Sequence, residues 1–467
     1  MAETTELTRP RGVLLPLASA QFICSFAGSS MNVMISDIST DLDTTVQGVQ
    51  VAITLFLLVM AALMIPCGKL TDRYGRKRCF VLGLTLYGIG AVISGLAPNL
   101  GWLILGNSIL EGIGTALLIP PVYILTTLLF TEVTSRAKAF GAIMAMGGIG
   151  AAAGPLIGGL ITSWSSWRAA FAFQALVILA IIALSRRILD PLPPNADRSF
   201  DLTGAVLSAV GLIMLVTGIL AADDDFVLMV VLLTLGAFVL TLFFLSIRAK
   251  ERAGRDPLLP TRLFRNRTSN LGLVTQNIQW LMLMGTSFVV AAYLQVVRGY
   301  NAIQTGVIFT AATAGLLLTS LAAERFARRR APRTLIMAGF VVTIAGVGLL
   351  LAIAGRSAVP WASAPGLFLI GTGLGMMLTP SVTVVQSSFG EELQGEISGL
   401  SRSVSNLGSS LGTALAGTIL VANLTGQAYA AAMVTIAALG FLGLGAAAML
   451  PGGTIPAASA SAAGKSH

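Results

Sequence analysis

Apolar runs of about 20 residues recur along the whole chain, and they limit its possible folds more than any other feature. We place fourteen of them, at 13–36, 47–66, 79–97, 102–124, 138–163, 169–185, 202–221, 226–246, 270–295, 303–323, 334–355, 362–385, 397–422 and 428–450. A helix of this length crosses a bilayer with all its backbone hydrogen bonds satisfied. Because only 10% of residues are charged, against about 25% in soluble domains, the sequence predicts an all-α polytopic membrane protein.

The placement of charge predicts the orientation of these spans. With the N-terminus in the cytoplasm, only Arg168, Arg298 and Arg356 of the 29 lysines and arginines fall outside. This positive-inside pattern favours an even number of spans, with both termini cytoplasmic. The net charge of +9 is thus explained by topology and does not indicate a nucleic-acid partner. The partner implied is the lipid bilayer.

Residue usage also argues against catalysis. The chain has one histidine and three cysteines, and the cysteines lack zinc-ligand spacing. There is no catalytic cluster, no phosphate-binding loop and no sizeable soluble domain in the sequence. We therefore predict no metal, no cofactor and no enzymatic activity.

Two loops repeat each other. LTDRYGRK (70–77) follows span two and AAERFARR (322–329) follows span ten, so that Asp72 aligns with Glu324 and Arg76 with Arg328. Both loops follow helices that run the same way, which is typical of a parallel repeat of two halves. Because the shift is eight spans rather than six, we predict two six-helix bundles with two additional helices, spans seven and eight, between them.

The predicted boundaries follow from this repeat. An N-terminal bundle covers 13–186, a linker with the two additional spans covers 187–267, and a C-terminal bundle covers 268–450. The remaining segment, 451–467, is rich in Ala, Ser, Gly and Pro, and we expect it to be disordered.

The stretch GKLTDRYGRK (68–77) resembles the cytoplasmic loop motif of the major facilitator superfamily. We predict a conformational latch in which ion pairs form in one state and break in another. Its members would be Gly68, Asp72, Arg73, Gly75, Arg76, Glu132, Glu324 and Arg328. The alternative is a basic loop that only fixes topology.

Span five contains glycines at every fourth residue, which leave a flat helix face for close backbone approach. A proline within this face should bend the helix, because it removes the hydrogen bond to the carbonyl of Ala151. The set resembles the span-five motif of antiporter branches of the same superfamily: Gly141, Gly150, Gly154, Pro155, Gly158 and Gly159. The alternative is ordinary helix packing.

These features together resemble the fourteen-helix drug:proton antiporter family of the EmrB/QacA type, over residues 13 to 450. The resemblance implies a secondary active exporter of the bacterial cytoplasmic membrane, functional as a monomer. It would exchange drugs or other amphiphilic small molecules for protons by alternating access. A dedicated exporter of one endogenous metabolite, antibiotic or lipid is the alternative.

The chain departs from that family at its usual intramembrane charges. In span one Ala27 takes the place of an aspartate, while Asn32 is retained. In span four Ser108 takes the place of an arginine, and Glu111 that of a glutamine. The family's coupling residues therefore do not carry over to this chain.

Glu111 is the only acid well inside a predicted span. It lies about 14 Å along the helix from Trp102, close to mid-membrane, where a charged residue costs about 2.5–3.5 kcal/mol to insert. We predict that it couples proton movement to transport and contacts substrate, on a span that by resemblance lines a central cavity with spans one, nine and twelve. The alternative is a permanently protonated side chain bonded to a neighbour such as Asn107.

Span nine offers a further recognition surface, because Gln276, Gln279 and Trp280 share one helical face. An aromatic ring with amides suits an amphiphilic or cationic ligand, although polar contacts between helices explain the amides equally well. The predicted substrate-binding set is Asn32, Asn107, Glu111, Gln276, Gln279 and Trp280.

Overall fold

The computed structural model describes residues 10–452 except 131–132, 187, 189, 191–199, 223–224, 328–329, 354–358 and 391–392. Within these residues, a long helix lies over each predicted apolar run. The bounds are Gly12–Asp41 (α1), Val46–Tyr74 (α2), Arg76–Gly95 (α3), Leu100–Leu129 (α4), Val133–Trp164 (α5), Trp167–Ser185 (α6), Leu202–Leu220 (α7), Phe226–Arg252 (α8), Arg267–Val297 (α9), Ala302–Ala327 (α10), Pro332–Ile353 (α11), Trp361–Gln386 (α12), Gln394–Val421 (α13) and Gly426–Ala448 (α14).

The helices have the length and composition of membrane spans. Among the described residues 13 helices pass on their own, and α5 brings the number to 14 if its two halves form one span. Those halves, Lys138–Ala151 and Ala153–Trp164, meet at 41°. Pro155 explains the bend, because its ring removes the backbone hydrogen bond to Ala151. The predicted bend is thus confirmed.

Among the described residues, α1, α4 and α9 each contain a segment that is not α-helical. In α1 the turn Met31–Met34 is a 3₁₀ segment, whereas Ile104–Glu111 in α4 and Tyr293–Val297 in α9 are π-helical. Such tighter or wider turns redirect side chains and are frequent at functional sites. Two of the three segments contain predicted site residues, Asn32 and Glu111.

Helix contacts divide into two groups. In the first bundle (α1–α6), α1 packs on α5, and α3 packs on α4 and α6. In the second bundle (α9–α14), α9 packs on α13 and α14, and α12 packs on α10 and α11. The two bundles meet along two lines, where α2 packs on α13 and α5 packs on α10.

Chain reversals place the connecting segments at two ends of the molecule. One end, which we call the basic end, carries the turn at Gly75, the connection 253–266 and the end of α12. The opposite end carries the turns at 42–45, 96–99 and 298–301. Arg168 of α6 contacts both Asp41 and the carbonyl of Ala97, which shows that these turns lie together.

The additional helices α7 and α8 form a pair beside the bundle interface. Helix α7 packs on α8 and also contacts α2 and α13, so it touches both bundles. Much of α8 is exposed and apolar, which suits a surface in contact with lipid.

A buried carboxylate ties this pair to the connection that follows it. Asp201 accepts from the backbone N–H of Gly204 at 2.6 Å and of Leu258 at 3.0 Å, and from Lys250 Nζ. Burial opposes charge on Asp201, but the hydrogen bonds, first that from Lys250, outweigh burial and lower the pKa of the carboxyl. The N-terminus of α7 and the end of α8 are thereby held together.

Replacing Asp201 tests this clamp. Asp201→Asn should destabilise the purified protein by about 1–3 kcal/mol at neutral pH, because charge-assisted hydrogen bonds are lost. A carboxyl with a lowered pKa contributes stability above its unfolded pKa of about 3.9 and loses it as the pH falls. The difference in Tm between the wild type and Asp201→Asn should therefore be largest near pH 7 and should shrink below about pH 4.

The exposed Asp256 provides the matched control. Asp256→Asn should leave Tm unchanged throughout. A difference between wild type and Asp201→Asn that persists undiminished at about pH 3 would contradict the clamp.

Candidate functional site

A cavity of about 70 Å³ lies between the two bundles, lined by α1, α5, α9, α10 and α12. Most of its wall is aliphatic, with one aromatic ring. The ring and the polar lining residues are Phe309, Ser29, Asn32, Thr286, Ser287 and Thr313. Among the described lining residues none is ionisable. A ligand pocket for a drug-sized molecule usually measures about 300–1,000 Å³, so the bundles must separate before such a molecule fits.

Towards the opposite end, hydrogen bonds close the space between the bundles. Gln295 of α9 donates from Nε2 to the carbonyl of Asn32 at 2.8 Å and accepts from the N–H of Ser36 at 3.1 Å. The backbone N–H of Ile303 donates to Ser163 Oγ at 3.2 Å. The 3₁₀ turn of α1 and the π-helical segment of α9 thus meet through one glutamine.

Towards the basic end, different contacts join the bundles. Lys69 of α2 forms an ion pair with Glu396 of α13 at 3.2 Å. Arg402 of α13 contacts the hydroxyl of Tyr123 in α4, and its guanidinium lies 5.0 Å from the centre of that ring. Contacts between the bundles therefore lie towards both ends of the cavity in this conformation.

The predicted latch motif is built around the start of α3. Asp72 pairs with Arg76 at 3.2 Å, and Gly75 has a φ of 97°, which favours glycine. Asp190 accepts from the N–H groups of Arg76 and Lys77 at 2.6 and 3.3 Å, where it caps the positive end of the helix.

The other predicted latch residues do not take part in the Asp72–Arg76 ion pair. The guanidinium of Arg73 lies 5.7 Å from the ring centre of Tyr74. A Cβ on Gly68 would lie 3.8 Å from Cβ of Pro120, an ordinary van der Waals distance. Glu132, Arg328 and the side chain of Glu324 lie outside the described residues. Asp190 and Glu396, the acids that pair with this region, were missed from the sequence.

Small residues of α5 allow close approach on two sides. A Cβ on Gly150 would overlap the carbonyl oxygen of Phe22 in α1, and one on Gly154 would overlap Ser29. On the side of α10, a Cβ on Gly159 would lie 2.5 Å from the carbonyl oxygen of Ala302. The predicted flat face exists and serves packing within and between bundles.

The remaining members of the span-five set differ from one another. A Cβ on Gly158 would lie 3.0 Å from Ser30, whereas one on Gly141 would meet nothing within 4 Å. Pro155 lines the cavity, and its carbonyl oxygen approaches Gly306 of α10.

Glu111 is fully buried between α3 and α4, and it does not line the cavity. Its Oε1 accepts from Ser94 Oγ at 3.3 Å, while Oε2 has no partner among the described residues. Tyr87 lies beside the carboxyl and donates to Gln174 Oε1 at 2.6 Å. Gly90 makes room for this carboxyl, because a Cβ there would lie 2.8 Å from Cγ of Glu111.

Two neighbours of Glu111 share its π-helical segment. Asn107 is buried, and its Nδ2 has no partner among the described residues. Ser108 donates to the carbonyl of Ala52 at 2.7 Å. The hydroxyl thus ties α4 to α2.

The amides of α9 contact other helices of the second bundle. Gln276 Oε1 accepts from Ser401 Oγ, and Gln279 Oε1 accepts from Ser381 Oγ, both at 2.8 Å. Trp280 is half-buried. None of the three lines the cavity, so the polar-contact alternative describes both glutamines in this conformation.

The structure thus brings only Asn32 of the predicted substrate-binding set to the cavity. Spans one, nine and twelve line it as expected, but in the described part of the chain span four does not. Spans five and ten do so instead, and sequence reasoning missed them. Pro155 was the available signal, because it accompanies the bend of α5 and itself lines the cavity.

Two helical bundles that enclose a central cavity define a polytopic transporter class. A solved structure of a peptide transporter in complex with sulfate has the same fold, with a TM-score of 0.66 at 16% identity over 93% of this chain and 94% of its own. Residues 17–413 match the Major Facilitator Superfamily. The chain belongs to that superfamily, as predicted, and is a transporter rather than an enzyme.

Similar proteins are named for drug resistance and export. A puromycin resistance protein of Streptomyces alboniger is 31% identical over 87% of this chain and 81% of its own length. A tetracenomycin C resistance and export protein of Streptomyces glaucescens is 28% identical over 90% and 78%. A multidrug resistance protein of Mycobacterium tuberculosis is 27% identical over 84% and 72%.

Gly159 offers a test of bundle contact at the opposite end. Gly159→Ala should shift the population away from the closed arrangement about tenfold, because overpacking costs about 1–3 kcal/mol. Closure can be measured as the disulfide yield between Ser163→Cys and Ile303→Cys in a background without native cysteines. Gly141→Ala is the matched control and should leave the yield unchanged. Equal yields in the two alanine variants would contradict the packing argument.

The Lys69–Glu396 pair offers a test at the basic end. Lys69→Glu should lower the disulfide yield between Ala61→Cys and Ser403→Cys roughly twofold to fivefold, as expected for loss of a partly exposed ion pair. Ser403 Oγ donates to the carbonyl of Ala61 at 2.5 Å, so the two sites adjoin.

Adding Glu396→Lys should restore the yield in this variant. The reversal Arg255→Glu, at an exposed residue outside the bundles, serves as control. Failure of the double reversal to recover closure would show that the pair does not hold the basic end.

Proposed function

We propose that this protein exports drugs or other amphiphilic small molecules across the bacterial cytoplasmic membrane in exchange for protons. The main support is a cavity between two bundles, with one set of contacts between the bundles towards each end of the cavity. Alternating access requires such an arrangement, since one set of contacts must open while the other stays closed. The names of the similar proteins favour drugs or antibiotics as cargo.

The proposed topology has fourteen spans and both termini in the cytoplasm. The basic end then faces the cytoplasm, in agreement with the distribution of lysine and arginine. The proposed units remain 13–186, 187–267 and 268–450, followed by the tail 451–467. We propose that a monomer is functional, since one chain contains both bundles and the cavity.

Opening of the basic end would break the Lys69–Glu396 and Tyr123–Arg402 contacts. The latch around Asp72 and Arg76 lies at this same end. Opening of the opposite end would instead release Gln295 from α1. The two sets share no residue, so each can break while the other remains.

In this proposal Glu111 carries the proton, outside the substrate cavity. A charged carboxylate is costly in its apolar surroundings, so proton release favours any state that admits water between α3 and α4. Tyr87 has a single hydroxyl proton, which it donates to Gln174 here and could donate to the carboxylate after proton release. Coupling would then act through helix movement.

Helix α4 connects this proton site to the closure at the basic end. Tyr123 follows Glu111 by twelve residues on α4, about 18 Å along its axis, and contacts Arg402 of the second bundle. A shift of α4 on protonation would therefore alter a contact between bundles. One proton entering the cell supplies about 2.3 kcal/mol per 100 mV of membrane potential to drive export.

A dedicated exporter of one metabolite, antibiotic or lipid is the second candidate. It is favoured by relatives named for single compounds, such as tetracenomycin C, and by a cavity without an acid for cationic drugs. Growth inhibition by a panel of unrelated drugs, with and without expression, separates the two. Protection against one compound alone would favour the dedicated exporter.

The proton role of Glu111 can be separated from substrate binding. In everted vesicles, Glu111→Gln should reduce uptake of labelled puromycin driven by a pH gradient at least tenfold, because an amide does not take up and release a proton in this pH range. Counterflow of labelled against unlabelled puromycin should persist, because it needs no net proton transfer.

Asp43→Asn is a matched acid-to-amide control, since Asp43 is exposed and its φ of 47° also suits asparagine. Uptake driven by the gradient should stay at the wild-type level in this variant. Equal gradient-driven uptake in Glu111→Gln would exclude Glu111 as the proton carrier.

A further inference from the structure

The wall of the cavity is mainly apolar and carries no charged side chain among its described residues. Aliphatic side chains and the ring of Phe309 cover most of it, and none of its described residues is ionisable. A cation moved into such a site would lose water without gaining a carboxylate. Residues 12–36 of α1 contain no charged side chain, so that helix supplies no charge to the cavity.

Two polar atoms of the lining residues have no hydrogen-bond partner among the described residues. They are Oδ1 of Asn32 and Oγ1 of Thr286, whose residues are 3% and 2% exposed. Buried polar atoms in native proteins nearly always have a partner. Since both residues line the same cavity, the expected partner is a molecule within it, either internal water or a bound ligand.

No hydrogen bond among the described residues occupies either atom. Gln295 binds the backbone carbonyl of Asn32, and so fixes the turn without occupying its side chain. Ser29, by contrast, donates to the carbonyls of Ser25 and Phe26 in its own helix. Asn32 and Thr286 belong to different bundles, so one ligand group that bonds both would also bridge the bundles.

The atom types specify what the partner must be. The Oδ1 atom of an asparagine only accepts hydrogen bonds, and a threonine hydroxyl both donates and accepts. An O–H or N–H group can donate to Oδ1, and a hydroxyl can in addition accept from Thr286, whereas an ether or a tertiary amine without a proton cannot donate to Oδ1. The remaining wall suits apolar, ring-containing surface.

We propose that the cavity selects uncharged, mainly apolar molecules that present an O–H or N–H donor to Asn32 Oδ1 and Thr286 Oγ1. The inference names the substrate class of the exporter proposed above and rests on that function for its transport arm. It predicts discrimination against permanent cations and against analogues that lack the donor.

Three probes of related apolar character test the proposal with the full chain. N-phenyl-1-naphthylamine is uncharged and has one N–H, its N-methyl derivative has no donor, and tetraphenylphosphonium is a cation without a donor. Affinity is measured on protein in lipid nanodiscs, and export is measured in everted vesicles. The wild type should bind the N–H probe about tenfold more tightly than either other probe, as one buried hydrogen bond allows.

Variants then assign the discrimination to the two atoms. Asn32→Leu and Thr286→Val should each lower affinity for the N–H probe about fivefold to tenfold and leave the N-methyl probe unchanged. Asn32→Asp should raise affinity for tetraphenylphosphonium. Thr343→Val, at a buried threonine of α11 bonded within its own helix, is the matched control and should not alter the ratio.

The outcomes separate this inference from the exporter function. Equal or tighter binding of tetraphenylphosphonium, or a ratio unchanged by both Asn32→Leu and Thr286→Val, overturns the inference, even if proton-driven export of the cation is found. The second result would mean that the two atoms bind internal water rather than ligand. Donor-dependent binding without any export would support the inference and refute the exporter. Because Thr286→Val is nearly isosteric and the wild-type ratio needs no variant, misfolding of Asn32→Leu leaves the test intact.

Discussion

The close packing of α5 against α1 on one side and α10 on the other is the contact on which the rest depends. Without side chains at Gly150 and Gly159, backbones of both bundles approach α5 directly. The bend at Pro155 lies between these approaches and beside the cavity. One helix therefore sets how the first bundle is built, where the bundles touch and how large the central space is.

Charge is arranged around this packing according to its cost in an apolar medium. The partly exposed Lys69–Glu396 ion pair and the buried carboxylate clamp of Asp201 both lie at the basic end, outside the central stretches of the spans. Within the helices a buried acid remains at Glu111, and it faces the first bundle rather than the cavity. Proton and substrate thus have separate sites in our account, with α4 and the bundle contacts as the link.

Much of this architecture could be predicted from sequence, because apolar length and local chemistry determine it. Each predicted apolar run contains a helix, and Pro155 bends α5 where the missing hydrogen bond requires. Partners distant in sequence could not be predicted, because they depend on how helices pack. For example, Asp190 accepts a hydrogen bond from the N–H of Arg76, which is 114 residues away in the sequence. Likewise, only the packed structure shows that Gln276 faces Ser401 and that Phe309 faces the cavity.

The central claim is obligatory exchange of substrate for protons, and the most direct test measures protons. Purified protein is reconstituted into liposomes that contain a pH-sensitive dye, with no initial pH difference. A concentration gradient is then imposed of the probe that the protein transports, either N-phenyl-1-naphthylamine or tetraphenylphosphonium. Neither probe takes up or releases a proton under these conditions. The account predicts a saturable proton flux opposite to the probe, absent from protein-free liposomes. Probe movement through the protein without any accompanying proton flux would contradict it.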